Sequence, residues 1–327
     1  MTVFTALGAH IVDVLGRPVA EIPPGQGAAL LTEIRITVAG AAGGTAVDLA
    51  RLGGTVRSIG AVGDDNLGVF LLAQLTEAGV DVARMVVLSQ TQTSATILPI
   101  RANGERPALH VPGVTGLLTT EHVQAAHLAG SDYIHIGGPD VLGEFSLKVL
   151  PELLRQARVA GAVTSADLLT TGWPEALELL SPLFAEIDHL LINAEQAVVL
   201  TAETDLPDAA HTLAECGPQV VVVTTGAEGG VLVDDQGVYA FPALEVDVVD
   251  TTGCGDGFSA GYLRALSLGW GPRQACGLGT ACASMVAETL GSDGISDLAS
   301  ALERLSRSTQ FPDTQAIAAR QVLPEGR

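Results

Sequence analysis

The chain has 327 residues, of which 47% are hydrophobic, and a formal net charge of -21 at pH 7. This length and composition predict one main domain with a large core. The negative charge argues against nucleic acid or an anionic membrane surface as a partner. We therefore expect a small-molecule ligand, and any phosphate on it must be held by local donors such as backbone amides and helix ends.

Lysine and cysteine usage excludes several classes of site. Lys148 is the only lysine and follows Leu147, so the Gly-Lys-Ser/Thr sequence of a Walker P-loop is absent. The four cysteines form no CxxC pair, which favours free thiols in a reducing, cytoplasmic compartment over disulfides or a zinc site. The first residues show no basic leader, and no apolar run reaches the ~20 residues that span a bilayer. We expect neither a signal peptide nor a membrane-spanning helix.

In chain order, short apolar runs alternate with longer helical patterns. VFTALGA, TVRSIGAV, YIHIGG, AVTSADL and HLLIN predict strands, and NLGVFLLAQLTEAGV and KVLPELLRQARVAG predict helices. The run VVVVTTG from Val220 is apolar at successive positions, as in a parallel strand covered on both faces. This alternation predicts βαβ units and therefore an α/β fold.

Two segments, about residues 16–40 and 93–114, interrupt this alternation. Both are strand-like, punctuated by Gly and Pro, and contain no crossover helix. We predict that they form a small β-layer over one edge of the main sheet and act as a lid, with ordinary surface hairpins as the alternative. Apolar lid positions would form a homodimer contact or cover the main sheet. These positions are Ile34, Ile36, Ile97 and Leu98.

The segment EVDVVDTTGCGDGFSAGYLRAL predicts a strand, a glycine-rich turn and a helix. Such an arrangement points free backbone amides and a helix N-terminus at an anion, and Gly253 and Gly255 permit close approach. A carboxylate at Asp256 would bind phosphate poorly, but it suits a base that takes the proton of an attacking hydroxyl. Asp256 could equally cap the following helix, and the spacing alone leaves both interpretations open.

Two other motifs overlap this turn. GFSAG matches the G-x-S-x-G nucleophile elbow of hydrolases, but Ser259 falls inside the predicted helix and no histidine follows His211. A hydrolase triad is therefore excluded. GCGDGF is also similar to the dinucleotide fingerprint G-x-G-x-x-G, but Phe258 occupies the third glycine position, so the match is weak.

The turn DTTGCGDGF resembles the second signature of the ribokinase or PfkB carbohydrate-kinase family. GAHIVDVLG, AGGTAVDLARLGG, GAVGDDNLG, HIGG, INAEQ and VVVTTGAEGG follow the family's order over nearly the whole chain. The resemblance implies a single ribokinase-like domain over residues 1–327, with a doubly wound, mostly parallel sheet, helices on both faces and a small β-sheet lid. It also implies ATP-dependent phosphorylation of a hydroxyl on a sugar or sugar-like molecule, with Mg2+ and often a stimulating monovalent cation such as K+.

The same resemblance implies roles for individual residues. Asp256 corresponds to the general base, and the anion hole corresponds to Gly253, Cys254 and Gly255. Positions expected to contact the substrate are Asp13, Gly43, Gly44 and Asp48. Positions expected to contact the nucleotide are Asn193, Thr224 and Gly226. The expected metal positions are Asp250 and Thr252 for a monovalent cation and Glu195 for Mg2+.

Three departures from the family pattern qualify these roles. Gln196 replaces the Glu of N-x-x-E, so the charge that helps to organise Mg2+ is missing unless Glu195 substitutes for it. Asp48 stands where many members have Asn, which favours a substrate that presents donors. Asp167 is followed by leucines and lacks the D-x-N pattern, so a further polar contact there cannot be assumed.

A nucleoside kinase of the same family is the nearest alternative. Aromatic residues make up 4% of the chain, with none between Phe70 and Tyr133, and this scarcity of stacking side chains favours a free sugar. A non-catalytic small-molecule sensor on this fold is a second alternative, which Gln196 keeps open. A Rossmann-type dehydrogenase is a third.

Overall fold

The computed structural model describes residues 2–102 and 105–322, which fold into fourteen strands and twelve α-helices. The strands are β1 (Val3–Gly8), β2 (Ile11–Arg17), β3 (Glu33–Ala39), β4 (Thr55–Ile59), β5 (Ala61–Gly63), β6 (Val86–Leu88), β7 (Ala95–Pro99), β8 (Leu109–Val111), β9 (Tyr133–Gly137), β10 (Val163–Asp167), β11 (His189–Asn193), β12 (Val220–Thr224), β13 (Gly230–Asp234) and β14 (Gly237–Phe241). The helices are α1 (Ala41–Arg51), α2 (Asn66–Glu77), α3 (Ala125–Leu128), α4 (Glu144–Lys148), α5 (Leu150–Val159), α6 (Ala176–Phe184), α7 (Ala194–Thr201), α8 (Leu206–Ala214), α9 (Cys254–Ser267), α10 (Pro272–Ala287), α11 (Leu298–Arg307) and α12 (Pro312–Val322).

The main sheet has eight strands in the order β14-β13-β12-β11-β10-β9-β1-β4. Pairing is parallel from β4 to β12, and β13 and β14 add an antiparallel edge. The first strand, β1, lies between β4 and β9, so the winding direction reverses there. Ligands of such sheets bind beyond the carboxyl ends of the strands at this switch point. The predicted doubly wound, mostly parallel sheet is confirmed.

Helices cover both faces of this sheet. Val220 and Val222 belong to one core cluster with residues of α1, α9 and α10, and Val221 and Val223 belong to a second cluster with residues of α5 to α8. Successive residues of β12 thus face opposite helical layers, which explains its continuous apolar run. Within the described residues, no helix combines the length and hydropathy needed to cross a bilayer.

A second sheet of four strands, in the order β3-β2-β7-β8, forms the lid. The predicted lid segments 16–40 and 93–114 contain β3, β7 and β8, whereas β2 already begins at Ile11. In the register of this sheet, Ile11 pairs with Ala39, and Ala95 pairs with both Val12 and Val111. All four strands are therefore connected to the main domain at the same end.

The two faces of the lid differ in polarity. One row across all four strands is polar, and its paired residues are Thr37, Asp13, Thr96 and His110. Side chains alternate along each strand, so the neighbouring Ile36 and Ile97 lie on the opposite, outer face, where they are 50% and 55% exposed. Leu98 is buried and packs inward with Leu15. The apolar lid positions therefore divide between an exposed outer face and a buried inner one.

Candidate active site

The carboxyl ends of the parallel strands bring several predicted site residues together. Asp167 ends β10, Asn193 ends β11 and Thr224 ends β12. With Gly255 and Asp256 they line a cleft of about 90 Å³. A larger depression of about 610 Å³ lies beside Arg273, on another part of the surface, and contains none of these residues. The predicted nucleotide residues Asn193 and Thr224 thus share a cleft with the predicted base.

Gly226 lies just beyond this cleft, in a short 3₁₀ turn after β12. Its φ of 64° is in the left-handed region that favours glycine, and an added Cβ would meet no atom within 4 Å. The turn leaves the backbone open to the space beyond β12.

Helix α9 begins at Cys254, and Gly253 is its N-cap residue with a φ of 80°. No side chain of the described residues caps this helix, so the alternative in which Asp256 acts as the cap is wrong. A Cβ on Gly253 would lie 2.9 Å from Ser292 Cβ, so glycine is required here on steric grounds as well. An uncapped helix N-terminus with close-packed glycine backbone is suited to hold an anion.

The carboxyl group of Asp256 lies among other carboxyl groups. Burial raises its pKa well above that of an ordinary aspartate, and the nearby charges of Asp167, Asp48 and Asp13 raise the pKa further, while Arg106 opposes them. Carboxylates packed together hold protons more strongly than isolated ones. These surroundings favour the protonated form of Asp256, and they make its ionised form a stronger base than an exposed aspartate.

The two glycines at the start of α1 have different neighbours. A Cβ on Gly44 would lie 2.2 Å from Asp256 Oδ2, so the backbone of α1 directly contacts the carboxylate. A Cβ on Gly43 would instead meet Val38 Cγ1 at 3.2 Å and His10 Cδ2 at 3.4 Å. The absence of a side chain at Gly44 thus leaves room for the carboxylate of the predicted base, whereas Gly43 packs beside the lid.

Asp13 belongs to the polar row of the lid. Burial raises its pKa to about 6, while a hydrogen bond from the Thr96 hydroxyl and the charge of Arg106 lower the pKa. The Thr96 hydroxyl also lies 3.1 Å from His110 Nδ1. Asp13 acts electrostatically on Asp256, so the structure places the predicted substrate carboxylate near the predicted base.

Asp48 lies behind the base, where its side chain is fully buried. Its Oδ1 is 3.5 Å from Arg51 Nη1, and its Oδ2 has no hydrogen-bond partner among the described residues. Burial raises the pKa of this carboxyl to about 8. A Cβ on Gly257 would lie 3.6 Å from Asp48 Oδ2, which places Asp48 between α1 and α9.

The substitution Asp48→Asn is expected to stabilise the protein increasingly as pH rises from about 4 to 8. The folded protein disfavours ionisation of Asp48, so stability is fully present below the ordinary pKa of 3.8 and is lost as pH rises towards 8. One pKa unit corresponds to about 1.4 kcal/mol. Urea unfolding at pH 4, 6 and 8 measures the effect. The exposed Asp235→Asn is the control, and a stability difference that does not vary with pH would contradict the prediction.

The predicted monovalent-cation residues form a tight turn. Thr252 donates from its backbone N and its hydroxyl to Asp250 Oδ1 at 3.1 and 2.8 Å, and Gly291 N donates to Asp250 Oδ2 at 2.9 Å. Arg106 Nη1 donates to the Thr252 hydroxyl at 3.1 Å. Sequence reasoning did not select Arg106, whose only signal was an arginine in a predicted lid segment.

Cys254 occupies the first position of α9. Burial raises the pKa of its thiol to about 12, and the charge of Arg106 opposes this rise. The thiol is therefore protonated at neutral pH and is no nucleophile. Any contribution of Cys254 to anion binding therefore comes from its backbone amide, which donates to Thr251 O at 3.3 Å in this structure.

Comparison with known proteins adds to this geometry. Residues 5–297 match the family described as pfkB family carbohydrate kinase. The chain belongs to this family. The predicted family is thereby confirmed, together with the predicted class of phosphotransferases that have an alcohol group as acceptor.

Curated relatives of this pfkB-family protein act on different substrates. It is 29% identical to the aminoimidazole riboside kinase of Salmonella typhimurium, over 70% of this chain and 73% of the relative. It is 28% identical to the ATP-dependent ribose-1-phosphate kinase of Halopiger xanaduensis, over 82% of this chain and 86% of the relative. It is 29% identical to the fructokinase of Klebsiella pneumoniae, over 80% of this chain and 83% of the relative.

Solved structures share the fold. A candidate ribokinase from Agrobacterium tumefaciens superposes with a TM-score of 0.82 at 25% identity, over 93% of this chain and 97% of that one. A candidate ribokinase II from E. coli, in complex with ATP and Mg2+, also gives a TM-score of 0.82, at 22% identity over 94% and 99% of the two chains.

Gln196, the departure of this pfkB-family chain from N-x-x-E, is committed to structural hydrogen bonds. Its Oε1 accepts from Asn193 N at 2.9 Å, and its Nε2 donates to Leu168 O and Thr170 O at 3.0 and 2.8 Å. The side chain ties the β10–α6 loop to the start of α7. It is therefore not available to a metal ion.

Asp167, unlike Gln196, has a side-chain oxygen that is available to a metal ion. It is 8% exposed, lines the cleft, and its Oδ1 has no hydrogen-bond partner among the described residues. Its Oδ2 lies 3.4 Å from both Ser259 Oγ and His135 Nε2. Glu195 is exposed and is not among the lining residues. An unpaired carboxylate oxygen suits Mg2+, which usually takes one or two protein carboxylates and completes its shell with phosphates and water.

The substitution Gln196→Glu is expected to destabilise the protein by about 2–5 kcal/mol at neutral pH, because a carboxylate would replace two buried donors and face two carbonyl oxygens. Thermal unfolding measures this loss. The adjacent exposed Glu195→Gln is the control and should stay within about 0.5 kcal/mol of the wild type. A stable Gln196→Glu protein would show that this loop tolerates the family's usual charge.

Proposed function

We propose that the protein transfers the γ-phosphoryl group of ATP to a hydroxyl of a sugar or sugar-like molecule. The observation that carries this proposal is the carboxylate of Asp256 at the uncapped N-terminus of α9, in one cleft with Asn193 and Thr224. The base and the anion-binding amides are therefore presented by one turn. Family membership supports the reaction class.

In this mechanism, Asp256 takes the proton of the acceptor hydroxyl while the hydroxyl oxygen attacks the γ-phosphorus. The bond from that phosphorus to the bridging oxygen breaks, and ADP leaves with the electron pair. The amides of Gly253, Cys254 and Gly255 stabilise the charge on the γ-phosphoryl oxygens. Asp13 accepts hydrogen bonds from other acceptor hydroxyls beside the contacts at Gly43 and Gly44, and Asp48 supports the base from behind. The lid excludes water.

The nucleotide is proposed to bind beyond β11 and β12, with its phosphates near Asn193, Thr224 and Gly226. Mg2+ supplies neutralisation of the phosphate charge when bound. Asn193 and Asp167 are the residues that would hold it, with Glu195 as the alternative carboxylate. This assignment rests on the unpaired Asp167 Oδ1 and on the hydrogen bonds that occupy Gln196.

We further propose stimulation by K+ at the loop of Asp250 and Thr252. Both carboxylate oxygens of Asp250 already accept hydrogen bonds, so backbone carbonyl oxygens of this loop are the expected ligands. Replacing K+ by Li+ at constant ionic strength should lower the rate of phosphorylation. An equal rate in both salts would contradict this part of the proposal.

A homodimer through the lid is also proposed, because the outer lid face exposes large apolar side chains. They are Ile34, Ile36, Ile97, Leu109 and Val111. Light scattering of the wild type and of Ile36→Lys tests the proposal, since the charged variant should dissociate. The four free cysteines support a cytoplasmic location.

A panel of sugars and nucleosides, with ADP release as the readout, tests the acceptor class. We expect turnover of a sugar. A nucleoside acceptor is the second candidate, favoured by the 29% identity to an aminoimidazole riboside kinase. The polar row of the lid contains no Phe, Tyr or Trp to stack on a base, which supports the sugar. Turnover of nucleosides alone would overturn the sugar assignment.

A further inference from the structure

The segment from Leu290 to Asp293, here called the bridging segment, contacts three parts of the candidate site. Leu290 is buried in a small cluster with apolar residues of the lid. These residues are Leu15, Leu98 and Ile100. The next residue, Gly291, donates its N–H to Asp250 Oδ2 at 2.9 Å. One end of the segment thus packs on the lid while its backbone anchors the glycine-rich turn.

Ser292 joins the lid to the anion-binding turn through a single buried side chain. Its hydroxyl donates to Val38 O, at the end of β3, at 2.9 Å. Its Cβ packs against Gly253 so closely that a Cβ there would lie 2.9 Å away. Ser292 is 5% exposed, so water does not compete for this bond. A movement of β3 therefore acts on the residue that touches the N-cap of α9.

Arg51 fixes the bridging segment to α1. Its Nη1 donates to Ser292 O at 3.0 Å, and its Nη2 donates to Asp293 Oδ1 at 2.6 Å. The same helix carries Gly44, whose backbone contacts the carboxylate of Asp256. The bridging segment is thereby held to the element that positions the base as well as to the turn that binds the phosphoryl group.

We propose that Ser292 is a positioning residue that couples closure of the lid to the geometry of the anion hole. If β3 moves away from Ser292, the buried hydroxyl loses its acceptor, which costs free energy unless the bridging segment follows. Close packing leaves little room for Ser292 to move without displacing Gly253. Acceptor binding under the lid therefore sets the position of the phosphoryl-binding amides. This inference rests on the proposed kinase function.

The test is Ser292→Ala, which removes the hydroxyl and keeps the Cβ against Gly253. We expect kcat for the acceptor selected in the panel to fall about 3- to 30-fold, while the dissociation constant of a non-hydrolysable ATP analogue stays unchanged. The unchanged constant is expected because the proposed nucleotide residues lie on the main sheet. Ser306→Ala is the matched control, since its hydroxyl donates only within α11, to Glu303 O.

A combination with Leu98→Ala separates coupling from simple stabilisation. Leu98 joins the lid to Leu290 in the same cluster, so the effects of the two substitutions on kcat should be non-additive. A Ser292→Ala protein with a lower melting temperature but a wild-type kcat would overturn the proposal. So would strictly additive effects on kcat in the double variant.

Hydrogen exchange on the wild type tests the coupling without any substitution. Acceptor alone should slow amide exchange in residues 290–293, which lie outside the predicted acceptor contacts. Unchanged exchange there, in an enzyme that phosphorylates the acceptor, would overturn the coupling and leave the kinase function intact. A wild type without kinase activity would overturn both.

Discussion

Asp256→Asn is expected to lower kcat by about 10²- to 10⁴-fold, because the amide cannot take the proton of the acceptor hydroxyl. Binding of an ATP analogue should persist, since the proposed nucleotide residues Asn193, Thr224 and Gly226 remain. The fold should also persist, because the substitution removes one charge from a group that already includes Asp13, Asp48 and Asp167. Coupled measurement of ADP release, calorimetric nucleotide binding and thermal unfolding check these three expectations.

The control for this substitution is Asp235→Asn, in the exposed hairpin turn between β13 and β14. It makes the same chemical change far from the cleft and should leave turnover unchanged. Equal activity of Asp256→Asn and the wild type would contradict the mechanism. If neither protein phosphorylated any member of the acceptor panel while both bound ligand, the non-catalytic sensor would be favoured.

Gly44→Ala is expected to cause the second large loss, of about 10²-fold in kcat. Its Cβ would lie 2.2 Å from Asp256 Oδ2, so the carboxylate must move by more than the margin that proton transfer tolerates. Gly44 lies inside α1, where alanine is the better helix former by about 0.5–1 kcal/mol, so the fold should not be lost. Steady-state kinetics and thermal unfolding together measure both effects.

Gly43→Ala provides a graded comparison in the same turn of helix. Its Cβ would meet the Val38 side chain at 3.2 Å and no carboxylate, so its effect on kcat should be smaller. Equal losses in the two variants would indicate a general disturbance of α1. A Gly44→Ala enzyme with wild-type kcat would show that the position of Asp256 is not critical.

The fold and the location of the site were predictable because their signals are local. The continuous apolar run at Val220 indicates a strand covered on both faces, and the glycine-rich turn at Gly253 indicates the start of a helix. The strand predicted before this turn is wrong, because residues 245–249 are irregular in the structure. The role of Asp256 was not decided by spacing, because a helix cap and a catalytic base both place a carboxylate in the first turn. The structure excludes the cap, since Gly253 is the N-cap residue and the side chain of Asp256 makes no capping hydrogen bond.

Contacts between distant parts of the chain could not be predicted from the sequence. Arg106 and Thr252 are separated by 146 positions, and Ser292 and Val38 by 254, so no local pattern joins them. In the sequence, Gln196 was recognisable only by the negative charge that it lacks relative to the family's glutamate. Its hydrogen bonds to Leu168 and Thr170 show that it ties the β10–α6 loop to α7.

The four strands of the lid are joined to the main domain at one end only. When the lid rotates about this end, the displacement of a residue grows with its distance from the attachment. Asp13 is the third residue of β2, next to that attachment, whereas Arg106 lies in the connection between β7 and β8 at the free end. Opening of the lid should therefore displace the guanidinium of Arg106 further than the carboxylate of Asp13. In the proposed mechanism, the acceptor can therefore bind to Asp13 before the charge of Arg106 reaches Thr252.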